Sequence, residues 1–477
     1  MISGYPLIFK CLEQVVQKFY LGCDVSKGYS DFVIIDDQMN CVEENFQLDD
    51  TAIGHAELSE RISTFFEKHP SATLYAAVES TGGYEDNWYA FLLRQQGKFN
   101  LHAARVNPNG IAHDNKAGMI RNLTDKISAR SVAEYQIRHP DKIPYGKRDP
   151  NKSLKKMWGR YRSLKKQMGV LLNELESLLY SANPELLPYY RSRMPQWLML
   201  LLLKYPTAKM LARARVATVA SIPFLKKPLA SVLVKNAKAS TAEDSDDLTA
   251  FLVTSTVSQI ASLAKQITIF EQRFEKECDW PEVQLLMSIN GVGRMTAIVL
   301  MLYIEDITRF KSAKKLASFL GVHPELKLSG DGSKKGSYKM SKKGQKAPRA
   351  MLYMSVLAGL SKGSRNDVIK RIYDEKRASG MVAKAAIGVC IHKLVRLAYG
   401  VLASSKPFDP AIDDKNREKS KPAEKPVPLS KDRRYQGFDT AAPVSRRQNK
   451  KRMEQIKSQD SYAVECGIKD HAPRALQ

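Results

Sequence analysis

Apolar and polar positions alternate in three short bursts near the start of the chain: Phe19 to Val25, Ser30 to Ile35 and Cys41 to Gln47. A period of two, bounded by turn residues such as Ser26-Lys27-Gly28, predicts half-buried strands. The period then lengthens. Ala56 to Lys68 predicts a helix, Thr73 to Val78 a strand ending on Glu79, and Tyr84 to Gln96 a second helix. Leu101 to Val106 predicts a further strand that stops at Asn107-Pro108-Asn109. Strands interleaved with helices predict an α/β domain over residues 1–150.

Beyond it the pattern is helical. Leu154, Met157, Tyr161, Leu164, Met168, Leu171, Leu175 and Leu178 step by three and four until Pro184, and Val253, Val257, Ile260, Ala264, Ile267 and Phe274 keep much of that spacing. The steps are those of a coiled coil, so residues 151–280 are either an antiparallel arm or oligomer interface, or amphipathic helices packed on their own core. Residues 281–405 predict a mainly α domain around one Gly/Lys-rich loop. From Lys406 to the end the chain is rich in Lys, Arg, Pro and Asp, and reads as a disordered basic tail.

Charge narrows the partners. The 477 residues carry a formal net charge of +25 and a pI of about 9.6, which points to a polyanion, nucleic acid before acidic membrane. Apolar runs such as Trp197 to Leu203 fall short of the roughly 20 residues of a spanning helix, and no secretory signal is evident. Six scattered cysteines without CxxC spacing argue against a disulfide framework or zinc site. The reading is a cytoplasmic, nucleoid-associated protein with no membrane partner.

Against that basic background three acids stand out. Asp24 interrupts a strand, Glu79 ends one before Ser80-Thr81-Gly82-Gly83, and Asp125 opens a helix. A carboxylate in a half-buried strand needs a hydrogen bond, a cation or a metal to offset its desolvation. Oxygen ligands suit Mg²⁺, and paired metals serve phosphodiester chemistry. Taken singly, each acid has an ordinary structural use as a solvated strand end, a turn acceptor or a helix cap. Farther on, Ile289-Asn290-Gly291-Val292-Gly293-Arg294 is similar to a helix-hairpin-helix turn, whose glycines admit a phosphate to backbone N–H groups. The alternative is a plain turn between packed helices. A second stretch, from Leu328 to Gly344, holds Ser329, Ser333, Lys334, Lys335, Lys342 and Lys343. Its lysines would attract phosphate. A serine there either hydrogen-bonds phosphate or, given activation, attacks it.

In this order the motifs resemble the DEDD transposases of the insertion sequence one-ten family, which include Piv-type invertases. Gly22-Cys23-Asp24-Val25-Ser26-Lys27, Glu79-Ser80-Thr81-Gly82-Gly83-Tyr84, Asn107-Pro108 and Thr124-Asp125-Lys126-Ile127 resemble its RuvC-like (RNase H-like) domain. Ile289 to Ala297, Asp306 to Ala317, Gly321 to Pro324, Ser329-Gly330 and Met340 to Gly344 resemble its C-terminal transposase domain.

The resemblance implies a mechanism. Asp24, Glu79 and Asp125 would bind Mg²⁺, as two ions that Mn²⁺ can replace, and Ser329 would form a covalent phosphoserine link to DNA. A structured bridge RNA would choose donor and target DNA, and a tetramer would combine one chain's acids with another chain's serine. Gly291, Gly293, Arg294, Lys334, Lys335, Lys342 and Lys343 would contact nucleic acid. Two positions depart from the pattern. Ser128 stands where the family has a fourth acid, leaving a three-acid site with Ser128 as auxiliary ligand, a substitute such as Asp114 or Glu85, or a weakened centre. The loop after Ser329 is about one residue long against the family spacing, which makes Ser333 a rival nucleophile. The alternatives to a recombinase are a metal-dependent junction nuclease and a nucleic-acid-binding remnant.

Overall fold

The alternating segments near the start of the chain form strands β1 (Lys18–Val25), β2 (Tyr29–Asp36) and β3 (Cys41–Asp49), followed by helix α1 (Ala52–Lys68), β4 (Thr73–Glu79), α2 (Asp86–Gln95) and β5 (Leu101–Val106). Helices α3 (Pro108–Ala117) and α4 (Asp125–Arg138) come next. The computed structural model describes residues 17–119, 124–146, 148–190, 194–325 and 339–419, with 445–447, 449–450 and 453–454 beyond them. Two compact units divide the chain, Met1–Ser163 and Leu164–Gln477.

In the first unit the sheet order is β3-β2-β1-β4-β5. β1 pairs antiparallel with β2 and parallel with β4, β2 pairs antiparallel with β3, and β4 pairs parallel with β5. This mixed sheet with helices is the arrangement expected of a RuvC-like α/β domain.

The two faces of the sheet differ in kind. One buries Phe19, Leu21, Cys23, Phe32, Ile34 and Leu74 against Leu58, Ile62, Trp88 and Leu92 of α1 and α2. Large side chains of this type contribute about 1.5–3 kcal/mol each, so this face supplies most of the hydrophobic stabilisation. The other face carries Gly22, Ala77 and Ala104, and α4 lies on it through Ala129, Val132 and Ala133. Small residues let α4 come close. A Cβ on Gly22 would stand 2.0 Å from the Ala129 carbonyl oxygen and 2.7 Å from the Ala133 nitrogen. The buried Gln136 side chain seals the contact by donating to the Leu21 carbonyl at 3.0 Å.

Helix α5 (Lys152–Ala182) starts in the first unit. Asp86 holds Lys152 at 2.7 Å, Lys156 at 2.6 Å and Arg105 at 2.7 Å, fixing its first turns. The second unit adds α6 (Gln196–Lys204), α7 (Ala208–Ala212), α8 (Val216–Ala220), α9 (Lys227–Lys238) and the long α10 (Asp247–Glu277). Lys165 pairs with Glu271 at 3.1 Å, while Leu175 and Leu179 share a core with Val253, Val257 and Ile260. The pairs run in opposite directions, so α5 and α10 are antiparallel over this stretch. Leu198, Leu201, Leu211 and Leu233 of the intervening helices complete the same core.

The remainder is α11 (Pro281–Met287), α12 (Arg294–Ile304), α13 (Ala313–Phe319), a ribbon of β6 (Pro324–Glu325) and β7 (Lys339–Met340), then α14 (Lys346–Leu360), α15 (Asp367–Ala378), α16 (Ala383–Ser404) and α17 (Pro410–Lys419). By length and apolar composition α16 could cross a membrane. However, Ile391, Leu394, Val395 and Leu402 on α16 are buried within this unit, as expected of a core helix. The chain from Lys406, expected to be without structure, forms α17 at its start.

Candidate functional site

Asp24, Glu79 and Asp125 lie around the place where the α4 face of the sheet reaches the C-terminal ends of β1 and β4. In open α/β sheets ligands bind at such strand ends. Asp24 and Gly22 share a face because side chains alternate along a strand, and Cys23 of β1 is in register with Val78 of β4, one residue before Glu79. The Gly22 contact brings the start of α4, and with it Asp125, over the same edge. Thr124 caps that helix by accepting from the Ile127 N–H, and Asp125 in the first turn complements the helix dipole.

Electrostatics register the gathering. Burial, then the charges of Asp125 and Asp31, push the Asp24 carboxyl up from 3.8 to about 6, although Ser128 and the Val25 backbone hydrogen-bond to it. Burial and the charge of Asp24 likewise raise the Glu79 carboxyl. Two nearby acids of this unit are neutralised. Asp86 has three cations, and Asp114 accepts from Arg138 at 2.7 Å and His139 at 2.9 Å. Among the described residues, Asp24, Glu79 and Asp125 have no lysine or arginine partner at ion-pair distance.

No three Asp, Glu, His or Cys side chains among the described residues are drawn close enough to clasp a single ion. Like charges with nothing between them stand apart, and these acids form an open set. Their hard oxygen donors and missing counter-charge, with the raised carboxyls of Asp24 and Glu79, nevertheless fit a divalent cation.

The structure also separates the candidates for a fourth acid. Asp114 is committed to Arg138 and His139, and the Glu85 carboxylate accepts from the backbone of Thr81 at 3.1 Å and Gly83 at 2.8 Å. Glu85 thus closes the turn that leads the chain away from Glu79, with Gly82 and Gly83 at positive φ of 72° and 113°. Ser128 contributes a hydrogen bond to Asp24. Asp31 was not singled out from the sequence. It is only 4% exposed, lies directly opposite Asp24 in the β1–β2 hairpin, and accepts from Gln47 at 3.1 Å. Its signal was present, since residues facing each other across a hairpin share a face.

In the second unit Gly291 has φ 93°, and a Cβ there would meet Ser355 O at 2.7 Å and Gly359 Cα at 2.8 Å. Close packing of the turn on α14 accounts for this glycine. Gly293, at the start of α12, faces open space, and Arg294 lies 3.6 Å from Asp279. Gly344 packs its backbone onto Phe319 and Gly321, where a Cβ would fall 2.4 Å from Phe319 O. Lys342 adopts φ 57°, and Lys343 reaches Glu325 at 3.3 Å. Ser329, Ser333, Lys334 and Lys335 lie outside the described residues.

Comparison with known proteins agrees with the motif order. Residues 21–184 match the IS110 DEDD transposase family, described as "Transposase", and residues 283–373 match "Transposase IS116/IS110/IS902 family". The pilin gene-inverting proteins of Moraxella lacunata and Moraxella bovis are each 31% identical over 130 residues, or 27% of this chain. That match spans 39% of each relative's length. With both family regions matched in order over more than half of its length, and its acids gathered on the α4 face, the chain belongs to the IS110 family of DEDD transposases.

Proposed function

We propose that the protein is a DNA transposase or site-specific recombinase that cuts and rejoins DNA with the acids of its first unit and a serine of its second. The observation that carries this reading is the uncompensated set of Asp24, Glu79 and Asp125 in a chain of net charge +25. An active phosphodiester centre has to attract cations while the rest of the surface attracts phosphate.

Asp24, Glu79 and Asp125 would hold the divalent metal that a DEDD family implies, Mg²⁺ in our reading, with Ser128 as auxiliary group. When bound, the metal would offset charge on the phosphate oxygens. The Ser329 hydroxyl, with Ser333 as alternative, would attack phosphorus. Its Oγ forms the new P–O bond and loses its proton, and the departing deoxyribose oxygen takes one up. Rejoining reverses these steps on a second DNA end. Gly293, Arg294, Lys342 and Lys343 would guide the backbone, with Lys334 and Lys335 beside the nucleophile. A structured bridge RNA would supply sequence choice through base pairing, with the protein acting as a dimer or tetramer built on the antiparallel α5–α10 pair.

The test is a denaturing gel of labelled donor DNA with the element's flanking RNA and Mg²⁺, comparing wild type with Ser329→Ala and Asp24→Ala. A protease-sensitive DNA adduct in wild type alone is expected. Free nicks without an adduct, unchanged in Ser329→Ala, would instead make the protein a metal-dependent nuclease.

A further inference from the structure

A second charged centre lies across and beyond the end of the second matched family region. A cavity of about 970 Å³ opens between α15 and α16 and is covered by α17. Arg371, Lys376, Lys393, Arg396 and Lys406 line it from α15, α16 and the linker, and Glu375 is the one acid from those two helices. Such an excess of cations is held apart at a cost unless anions enter. Here the anions come from the chain itself. Arg371 holds Asp413 at 3.1 Å and Asp414 at 2.6 Å, Lys393 also pairs with Asp413, and Arg417 returns to Glu375 at 2.7 Å.

The cover is unusual for a helix. From Pro410 to Glu418 its only buried residue is Asp413, and the apolar Ile412 is 53% exposed. No fully buried apolar side chain anchors it, so hydrophobic burial contributes little to holding it in place. Ion pairs hold it instead: the largely buried Lys393–Asp413 pair, and more exposed pairs of Asp414 and Arg417 that salt weakens. Its entry is fixed by Phe408, whose N–H donates to Ser288 at 2.7 Å, just after Ser405 turns the chain at φ 51°. Arg371 Nε is buried with no acceptor among the described residues. The guanidinium therefore has donor capacity that two carboxylates do not use.

We propose that the α15–α16 cleft is a phosphate-backbone site for nucleic acid, and that α17 occupies it as a displaceable acidic lid. Phosphodiester oxygens reproduce what Asp413 and Asp414 offer: paired anionic acceptors for a guanidinium fork and an ammonium beside it. Entry of a nucleic-acid strand exchanges one set of anions for another and releases α17 about the anchored Phe408. The proposal rests on the charges of this cleft and not on the acids of the first unit, so it stands or falls separately from the recombinase reading.

The test uses the full chain with Asp413→Asn/Asp414→Asn, titrated by fluorescence anisotropy with a labelled DNA duplex and, separately, a labelled RNA hairpin. Opening the lid should tighten binding roughly tenfold at moderate salt and steepen the log–log salt dependence by about 2, for Arg371 and Lys393. Adding Lys393→Gln should reverse most of that gain. Tightening for one polymer identifies that polymer as the occupant, and tightening for both identifies a site that reads the shared backbone. Hydrogen exchange on wild type supplies the second readout, independent of any folding defect in the variants: amides of 410–419 should exchange faster once duplex or hairpin is bound. Unchanged affinity with both polymers, or undiminished protection of 410–419 in the bound wild type, would overturn the proposal.

Discussion

The two units handle like charge in opposite ways. In the first, Asp24, Glu79 and Asp125 form an open set at the strand ends with no side-chain cation among the described residues to answer them, and burial, then the charges of Asp125 and Asp31, raise the Asp24 carboxyl to about 6. In the second, Arg371 and Lys393 are gathered in a cleft and α17 answers them with Asp413 and Asp414. An uncompensated cluster stores repulsion that a metal ion can relieve. A self-compensated one has to exchange its internal partner before anything else binds. The same physics suits one place to the metal-dependent chemistry we propose for it and the other to the displaceable lid we propose.

The strongest way to break the comparison is to remove the first centre's main acid. Asp24→Ala should lower DNA strand cutting by on the order of 10³-fold, a loss typical of removing a principal electrostatic group. Strand cutting on labelled donor DNA measures it, and near-wild-type activity would remove Asp24 from the centre. Next in size is the scaffold. Gly22→Val drives side-chain atoms into the α4 backbone and should destabilise the first unit by about 1–3 kcal/mol, read from urea unfolding. It should also weaken Mn²⁺ binding by separating Asp125 from Asp24, whereas Gly293→Ala, in open space, should do neither.

A subtler test concerns protons. Between pH 3.8 and about 6 the folded protein holds a proton on Asp24 that the unfolded chain has released. At this residue acid therefore favours folding of the metal-free protein, and that contribution is lost as pH rises through the window. Asp24→Asn removes the burden, so its Tm should exceed that of wild type above pH 6 and converge with it toward pH 4. The reverse order in calorimetry would show that Asp24 is already neutralised. The smallest effect is expected from Asp31→Asn. Loss of this neighbouring charge should move the proton-competition midpoint for Mn²⁺ binding downward by less than about 1 unit, and an upward shift would assign Asp31 another role.

Much of the first unit was legible in the chain because its signals are local. Alternation marked β1 to β5, and the acids at strand ends and at the start of α4 stood out against a basic background. The Gly82-Gly83 turn could be read as well, since its positive φ demands glycine. Asp31 was missed because a lone acid in an otherwise apolar burst gives no hint of its partner until the hairpin register is known. Gly291 shows where residue type is ambiguous: the glycine that admits a phosphate also admits a neighbouring helix, and here Ser355 and Gly359 pack against its Cα. The helix α17 has no apolar period at all and could not be distinguished from the charged tail that follows.

The sequence by itself determined the strand pattern and the family motifs, and singled out Asp24, Glu79 and Asp125 as candidate acids, because these depend on residue type and short-range period. Tertiary structure alone decided that Gly22 brings α4 against β1, that Asp31 stands opposite Asp24, that Glu85 and Asp114 are engaged elsewhere, and that an acidic helix neutralises Arg371 and Lys393. Each of these is a contact between residues distant in the chain or set by strand register, and such contacts form where backbone packing and electrostatic compensation meet in three dimensions.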